Sequence, residues 1–490
     1  MIDERSTLQS VAGLHGFILA WQTADGVLQA DYDYGVMIDE APTTDGVARL
    51  TCTIVADSDA EALLELSALR DIRATLNGQV VAGGCPRIEP FGNAHPVTLR
   101  AGQNRLKLQI TPGQINPRLS ARLIAPDRLP LDVVSEVRPH WRGVTEQLRV
   151  PLPEGADVSL WHQWNNLTNR TPRMRLAEES NEAWRRWHDL FGLKLRELMG
   201  PTEPIVGAAP QLISSERLDG YRRDRLLLAT EPNVVAPIWL LVPDDPNGAG
   251  IVAIHGHGYV YGETVGVAGD ESSRQALERH NYAYGARYAE HGYTVVSPDM
   301  RNFGLRRDDE RFRRDPCDAA AFRLQQFGIN VLAGQVRDLR AALDHLIAQP
   351  TVASGRIGAT GLSYGGRLTM YLSALDRRVA CACVSGALNT FRERLTIDSS
   401  CGAQFVPGML TYGDTPEVFG LIAPRPLLLE LGTADGTSPE IFAMEAYAQI
   451  ERIYRAANAR NRLDLDVFES GHIYHGAKAF DWFDHWLLGG

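Results

Sequence analysis

The pentapeptide Gly361-Leu362-Ser363-Tyr364-Gly365 carries the strongest chemical signal in the chain. Glycines two residues either side of a serine suit a sharp turn, because side chains there would strike the neighbouring backbone. Arg356-Ile357-Gly358-Ala359-Thr360 upstream reads as a short buried strand. Gly366-Arg367-Leu368-Thr369-Met370-Tyr371-Leu372 downstream reads as the start of a helix. Such a strand–turn–helix lifts the Ser363 hydroxyl clear of a sheet and sets nearby amides at a helix N-terminus, where they favour developing negative charge. The predicted chemistry is nucleophilic attack on a carbonyl carbon.

Serine is a poor nucleophile at its own pKa and needs a base to take its proton. Val467-Phe468-Glu469-Ser470-Gly471-His472 ends the last strand pattern with a Gly-His step, which sets His472 on the following loop. His475, close behind, is the rival base. An acid must hold the imidazole tautomer and steady the imidazolium. Leu429-Glu430-Leu431-Gly432-Thr433-Ala434-Asp435 places Asp435 just beyond a strand, with Asp398 and Glu430 as alternatives. The expected catalytic set is therefore Ser363, Asp435 and His472.

A tetrahedral oxyanion needs two or more aimed N–H groups, and losing one typically costs ~10²–10³ in rate. The Tyr364 amide supplies one. His255-Gly256-His257-Gly258 follows a buried strand, and the backbone of His257 is expected to supply the other, with Gly258 next in line. The imidazoles of His255 and His257 are expected to be structural or pocket-lining. Gly258, Tyr259 and Tyr261, on the same loop, are candidates for the substrate pocket. The catalytic scheme calls for no cofactor and no metal.

The elements that position these groups fall in the second half of the chain. From about 206 to 490, strand and helix patterns alternate, which implies a mostly parallel sheet covered by helices on both faces. Strand candidates are Ile238–Val242, Ile251–Ile254, Thr294–Ser297, Pro426–Glu430 and Leu465–Phe468. One amphipathic helix carries Leu332, Val336, Leu339, Leu343 and Leu346. Another carries Ala443, Tyr447, Ile450 and Tyr454 behind a Ser438 cap and Pro439. Residues 131–205 read as a mixed and helical linker or cap segment. There Trp184, Trp187, Phe191, Leu195 and Leu198 recur at helical spacing until Gly200-Pro201.

Residues 1–130 alternate with period two and carry turn signals, which predicts an antiparallel β-sandwich. Leu50, Cys52 and Ile54 form one such run, and Leu106, Leu108 and Ile110 another. Asn77-Gly78 is a strong hairpin signal. Ala74-Thr75-Leu76-Asn77-Gly78-Gln79 with Leu99-Arg100-Ala101-Gly102-Gln103-Asn104-Arg105-Leu106 resembles jelly-roll accessory domains of carbohydrate-active enzymes. Packing that shapes the cleft or an oligomer contact is the expected role, with sugar binding as the alternative.

At 490 residues the chain is long enough for two or three domains. A hydrophobic share of 44% beside 22% charged residues describes a soluble globular protein. The net charge of −11 argues against nucleic acid or an anionic membrane surface as the main partner. No apolar run approaches the ~18–20 residues of a membrane span, and Met1-Ile2-Asp3-Glu4-Arg5 lacks the pattern of a secretory signal. A cytoplasmic location is the default expectation, and a homo-oligomer is compatible with the sequence. Of six cysteines, Cys381 and Cys383 sit in a run that reads as a buried strand and are expected to be core filler. No Cys/His spacing matches a zinc motif.

Several phrases in one order carry a family resemblance. They are His255-Gly256-His257-Gly258, Asp299-Met300-Arg301-Asn302-Phe303-Gly304, Gly361-Leu362-Ser363-Tyr364-Gly365-Gly366, Ala423-Pro424-Arg425-Pro426-Leu427-Leu428, Gly432-Thr433-Ala434-Asp435 and Gly471-His472. From about 175 to 490 the chain resembles the dienelactone-hydrolase and acetyl-xylan-esterase-like branch of α/β-hydrolases. The resemblance implies an α/β-hydrolase fold, carboxylic-ester hydrolysis (often of acetylated sugars), and Ser363, Asp435 and His472 as triad. Thr437-Ser438-Pro439 departs from the family's bulkier apolar residue before that proline, and the N-terminal β region lies outside the family pattern.

The function expected is therefore a serine esterase acting on a small-molecule or carbohydrate ester. A prolyl-oligopeptidase-type peptidase uses a similar elbow but normally carries a long β-propeller, for which the preceding residues are too few. A carbon–carbon bond hydrolase would use the same triad. A non-catalytic carbohydrate-binding protein is the remaining alternative, and the intact Ser-Asp-His order counts against it.

Overall fold

The computed structural model of the chain describes residues 18, 20–29, 36–37, 41–56, 58–67, 72–84, 94–111, 118–124, 133–135, 167, 170–200, 209–257, 262–269, 271–307, 316–397 and 400–489. Contacts divide the chain into two compact units, Met1–Thr171 with Thr396–Asp398, and Pro172–Leu395 with Ser399–Gly490.

In the first unit, alternation of apolar and polar residues builds two antiparallel sheets. One runs Val27–Gln29, Ala20–Gln22, Val47–Ala56, Gly102–Ile110, Ile72–Leu76, Gln79–Gly84 in spatial order, and Thr43–Thr44 and Val133–Ser135 also pair with Val47–Ala56. The other runs Val36–Met37, Arg118–Ile124, Ala60–Ser67, Ala94–Leu99. Leu50, Ile54, Leu106 and Leu108 of the first sheet share one buried cluster with Leu64, Leu66, Leu119 and Leu123 of the second, which makes the unit a sandwich. Asn77 and Gly78 both take positive φ, 52° and 87°, as a tight two-residue hairpin requires. The Asn77 side chain then donates to Asn104 Oδ1 at 2.8 Å and accepts from the Arg105 amide at 2.8 Å, tying the two turn phrases together.

Among its described residues the second unit is built on a nine-stranded sheet: β1 (Gln211–Arg217), β2 (Tyr221–Glu231), β3 (Val234–Pro243), β4 (Gly250–Ile254), β5 (Thr294–Pro298), β6 (Ile357–Leu362), β7 (Cys381–Ser385), β8 (Leu427–Gly432) and β9 (Leu463–Phe468). Their spatial order is β1-β2-β3-β5-β4-β6-β7-β8-β9. The pairings from β5 to β9 are parallel, and those among β1, β2, β3 and β5 are antiparallel. Together with its flanking helices this is the α/β-hydrolase arrangement.

Both faces of the sheet are covered, and alternation along each strand assigns the side chains. Val252 and Ile254 of β4 join the cluster that holds the helices Asn181–Met199, Val331–Ile347 and Glu440–Ala456. Ile251 and Ala253 face the opposite cluster, with Tyr284, Tyr288 and Phe483. The helix expected from Trp184 onward runs Asn181–Met199, capped by Ser180, whose side chain accepts from the Ala183 amide. Its Phe191 and Leu195 are fully buried in the second unit's core, each worth about 1.5–3 kcal/mol. The helical part of 131–205 therefore packs as part of the second unit, because its apolar stripe is buried in that unit's core.

One expected cap is corrected. Helix Glu440–Ala456 begins at Pro439 with no side-chain cap. Ser438 instead accepts a hydrogen bond from Asn389 Nδ2 at 3.1 Å, since its hydroxyl turns inward. Among the described residues, no helix is long and apolar enough to cross a membrane.

Candidate active site

Strand order fixes where chemistry can occur. From β4 the chain crosses to β5 on one side, and from β6 it proceeds to β7 on the other, so the order reverses between adjacent β4 and β6. A crevice opens at the carboxyl ends of strands that diverge in this way. His255 to His257 follow β4, and Ser363 follows β6, at that crevice.

Ser363 takes φ 62° and ψ −120°, a left-handed conformation that a non-glycine residue holds only at a cost of order 1–3 kcal/mol. The fold enforces it. The Ser363 amide donates to the Ser385 carbonyl at 2.9 Å, and its own carbonyl accepts from the Arg367 amide at 2.9 Å. A Cβ on Gly361 would come 2.5 Å from the Gly365 carbonyl carbon, and one on Gly365 would overlap the Ile254 carbonyl oxygen. Both glycines of the pentapeptide are thus required by close backbone approach, as their spacing predicts. Tyr364 opens the helix Tyr364–Leu375, whose first amides have no acceptor within the helix.

His472 and Asp435 meet on the loops after β9 and β8. His472 Nδ1 lies 2.7 Å from Asp435 Oδ2. The other carboxylate oxygen accepts from the Thr437 amide at 2.8 Å and the Thr437 hydroxyl at 2.7 Å. Thr437 Oγ1 also stands 3.0 Å from His472 Nδ1. Because that hydroxyl spends its proton on Asp435, the proton between Oγ1 and the ring belongs to Nδ1, which leaves Nε2 of the neutral ring as the basic nitrogen. Burial pushes the Asp435 carboxyl up, but the His472 hydrogen bond and charge and the two Thr437 donors outweigh it and hold the group below the usual carboxylate value.

The His472 loop is pinned from behind. His280 Nδ1 donates to the His472 carbonyl at 2.8 Å, and Asn281 Nδ2 to the Tyr474 carbonyl at 2.7 Å. Gly386 packs against the ring so closely that a Cβ there would stand 2.9 Å from His472 Cε1.

Ser363, Tyr364, His257, Thr437 and His472 line one cavity of about 570 Å³. The rival base is elsewhere: His475 Nδ1 is 2.7 Å from Asp466, and its ring stacks on Phe468 with centroids 4.1 Å apart. Glu430 is fully buried and accepts from the His475 and Gly476 amides at 3.2 and 2.8 Å. Asp398, Gly258, Tyr259 and Tyr261 lie outside the described residues.

His255 is structural. Its Nε2 accepts from the Met300 amide at 2.9 Å, so Nδ1 carries the proton that goes to the Gly256 carbonyl at 2.8 Å. Burial pushes this imidazole down to about 4, which keeps the ring neutral and the loop geometry intact at neutral pH. His257, exposed, packs its ring at 4.8 Å from Tyr364 and 5.4 Å from Phe303, centroid to centroid.

Two arginines bring positive charge to the cavity wall. Arg367 is fully buried there, donates to Asn389 Oδ1 at 2.5 Å, and lies 4.5 Å over the Phe391 ring. Burial lowers it to about 10, still charged at neutral pH. Arg394 donates to the Thr437 carbonyl at 2.8 Å and Ser400 Oγ at 2.9 Å. Neither arginine stood out in the sequence. The helical spacing of Arg367 from Ser363 was the available signal for it.

Residues 275–403 match the model of the dienelactone hydrolase family. A protein of Bacillus subtilis (strain 168) named "Putative hydrolase YtaP" is 24% identical over 279 residues, 52% of this chain and 86% of its own length. The solved structure of a "putative acetyl xylan esterase" from Bacteroides fragilis NCTC 9343 matches with a TM-score of 0.56 at 19% identity, over 68% of this chain and 91% of that one. At that identity the likeness shows the shared fold.

Proposed function

We propose that the protein is a serine hydrolase of carboxylic esters, acting through Ser363, His472 and Asp435. The observation that carries the reading is the His472–Asp435 contact of 2.7 Å, on a ring that shares its cavity with a serine held in a left-handed elbow. In this mechanism His472 Nε2 takes the Ser363 hydroxyl proton as Oγ attacks the ester carbonyl. The oxyanion is held by the Tyr364 and His257 amides. Asp435 steadies the imidazolium, which then gives its proton to the departing alcohol. Water, deprotonated by the same ring, releases the acyl group and restores Ser363.

The resemblance of the motifs to acetyl-xylan-esterase-like enzymes supports short acyl groups, with a small-molecule or carbohydrate alcohol. The N-terminal unit is a two-sheet sandwich, which counts against a propeller-bearing peptidase. A panel that varies acyl length and alcohol independently, run beside peptide amides, tests the reading. Turnover of acetyl and other short esters is expected. Amide cleavage without ester cleavage, or sugar binding with no turnover of any ester, would overturn it.

A further inference from the structure

Three soft and borderline donors meet beside the cavity although their positions are far apart in the chain. A ring nitrogen of His257, Sγ of Cys317 and Sγ of Cys401 all lie within 4.8 Å of one another. His257 Nε2 stands 3.2 Å from Cys401 Sγ. We propose that these three residues bind a borderline-soft divalent cation of the zinc class.

The geometry has the right scale. Zinc sits about 2.3 Å from thiolate sulfur and 2.0–2.1 Å from imidazole nitrogen, so two donors on one tetrahedral ion stand roughly 3.5–3.8 Å apart. Adjusting from the present spacing needs movements of about an ångström or less. Two thiolates and one imidazole favour zinc over the hard cations magnesium and calcium, which take oxygen ligands. Three protein ligands leave a fourth position for water, as in zinc sites that are open.

The donors are set by the scaffold. Cys317 is the second residue of helix Pro316–Gln325 and is 2% exposed. Cys401 precedes the short turn Gly402–Gln404, whose first amide donates to Asp318 Oδ1 on that helix at 2.7 Å. A Cβ on Gly402 would come 2.9 Å from Ala321 Cβ, so the turn lies directly on the helix and brings the two sulfurs together. The His257 ring is fixed by Tyr364 and Phe303 with Nε2 toward Cys401. Gln404 Nε2 donates to the same sulfur at 3.6 Å. The exposed His257 gives an ion a way in from the cavity that Gln404 also lines.

Coordination breaks each S–H bond as the S–metal bond forms, and the two protons leave to solvent. A bound ion then ties the loop after β4, which carries the proposed oxyanion amide of residue 257, to helix Pro316–Gln325. Binding does not depend on the esterase reading, and the test reads it without any assay of turnover.

The full chain, freed of metal by chelator and kept reduced, is titrated with Zn²⁺ against a chromophoric competitor, and separately with Co²⁺. One equivalent of zinc is expected to bind, and cobalt to give a thiolate-to-metal charge-transfer absorption. Cys401→Ser is expected to weaken zinc at least tenfold and remove most of that absorption. Cys317→Ser is expected to do the same if it folds, and Cys401→Ser carries the test alone if it does not. No binding by the reduced chain, or equal binding by Cys401→Ser, would overturn the proposal.

Discussion

Asp435 reaches His472 with one carboxylate oxygen while Thr437 occupies the other: Oδ2 lies 2.7 Å from the ring nitrogen, and Oδ1 takes the amide and hydroxyl of Thr437. The carboxylate is therefore fixed in rotation as well as position, and its lone pair points where it can select the imidazole tautomer.

Asp435→Asn keeps the shape but offers an N–H or a neutral oxygen to Nδ1, so the ring loses its orienting charge. A fall in kcat of about 10⁴ is expected, the size of the equivalent change in a serine-protease triad. Steady-state kinetics on a short ester, with the melting temperature as control, checks it. A loss of tenfold or less would place the acid elsewhere.

Thr437→Val removes the hydroxyl that donates to Asp435 and leaves the amide donor in place. A hydrogen bond to a charged group is worth about 1.5–3 kcal/mol, part of which the remaining donor recovers. We expect kcat to drop roughly tenfold with KM little changed. A rise in KM alone would assign Thr437 to the pocket wall.

Gly365→Ala places a methyl on the Ile254 carbonyl oxygen, which belongs to a fully buried strand that cannot yield. The variant is expected to be insoluble or to lose several kcal/mol of stability. Denaturant unfolding decides it, and wild-type stability would show that the elbow is not packed as described.

Asp299 sets a pH dependence of stability. It is 2% exposed, and burial raises its carboxyl to about 7 despite the nearby Arg225 and Arg306 charges. The folded state thus keeps a proton that the unfolded chain has released from about pH 4 upward. This group's contribution is fully present below about pH 4 and is lost as pH rises toward 7, each pH step of one across that window removing at most about 1.4 kcal/mol. Asp299→Asn is expected to raise the melting temperature relative to wild type at about pH 8 and to give a smaller gain at about pH 5. An equal effect at both pH values would contradict the assignment.

Much of this was legible in the sequence because local chemistry dictated it. The elbow's glycines, the Asn77-Gly78 hairpin and the alternation of Leu50, Cys52 and Ile54 each follow from backbone geometry or strand periodicity. The strand before Ser363 runs Ile357–Leu362, two residues beyond the expected end, since apolar character does not mark where pairing stops. Arg367 and Thr437 were missed as site residues because their roles depend on what faces them across the cavity. The His257, Cys317 and Cys401 cluster was invisible for a related reason. Zinc motifs are read from short spacings, whereas here a helix, a turn and a strand-end loop must first fold together.

The most direct test of the account is labelling with a fluorophosphonate followed by peptide mass spectrometry. We predict one adduct, on Ser363, with loss of ester turnover in step with labelling, and no adduct in Ser363→Ala, whose stability should stay within about 1 kcal/mol of wild type. An adduct on another residue, or turnover by Ser363→Ala comparable to wild type, would contradict it.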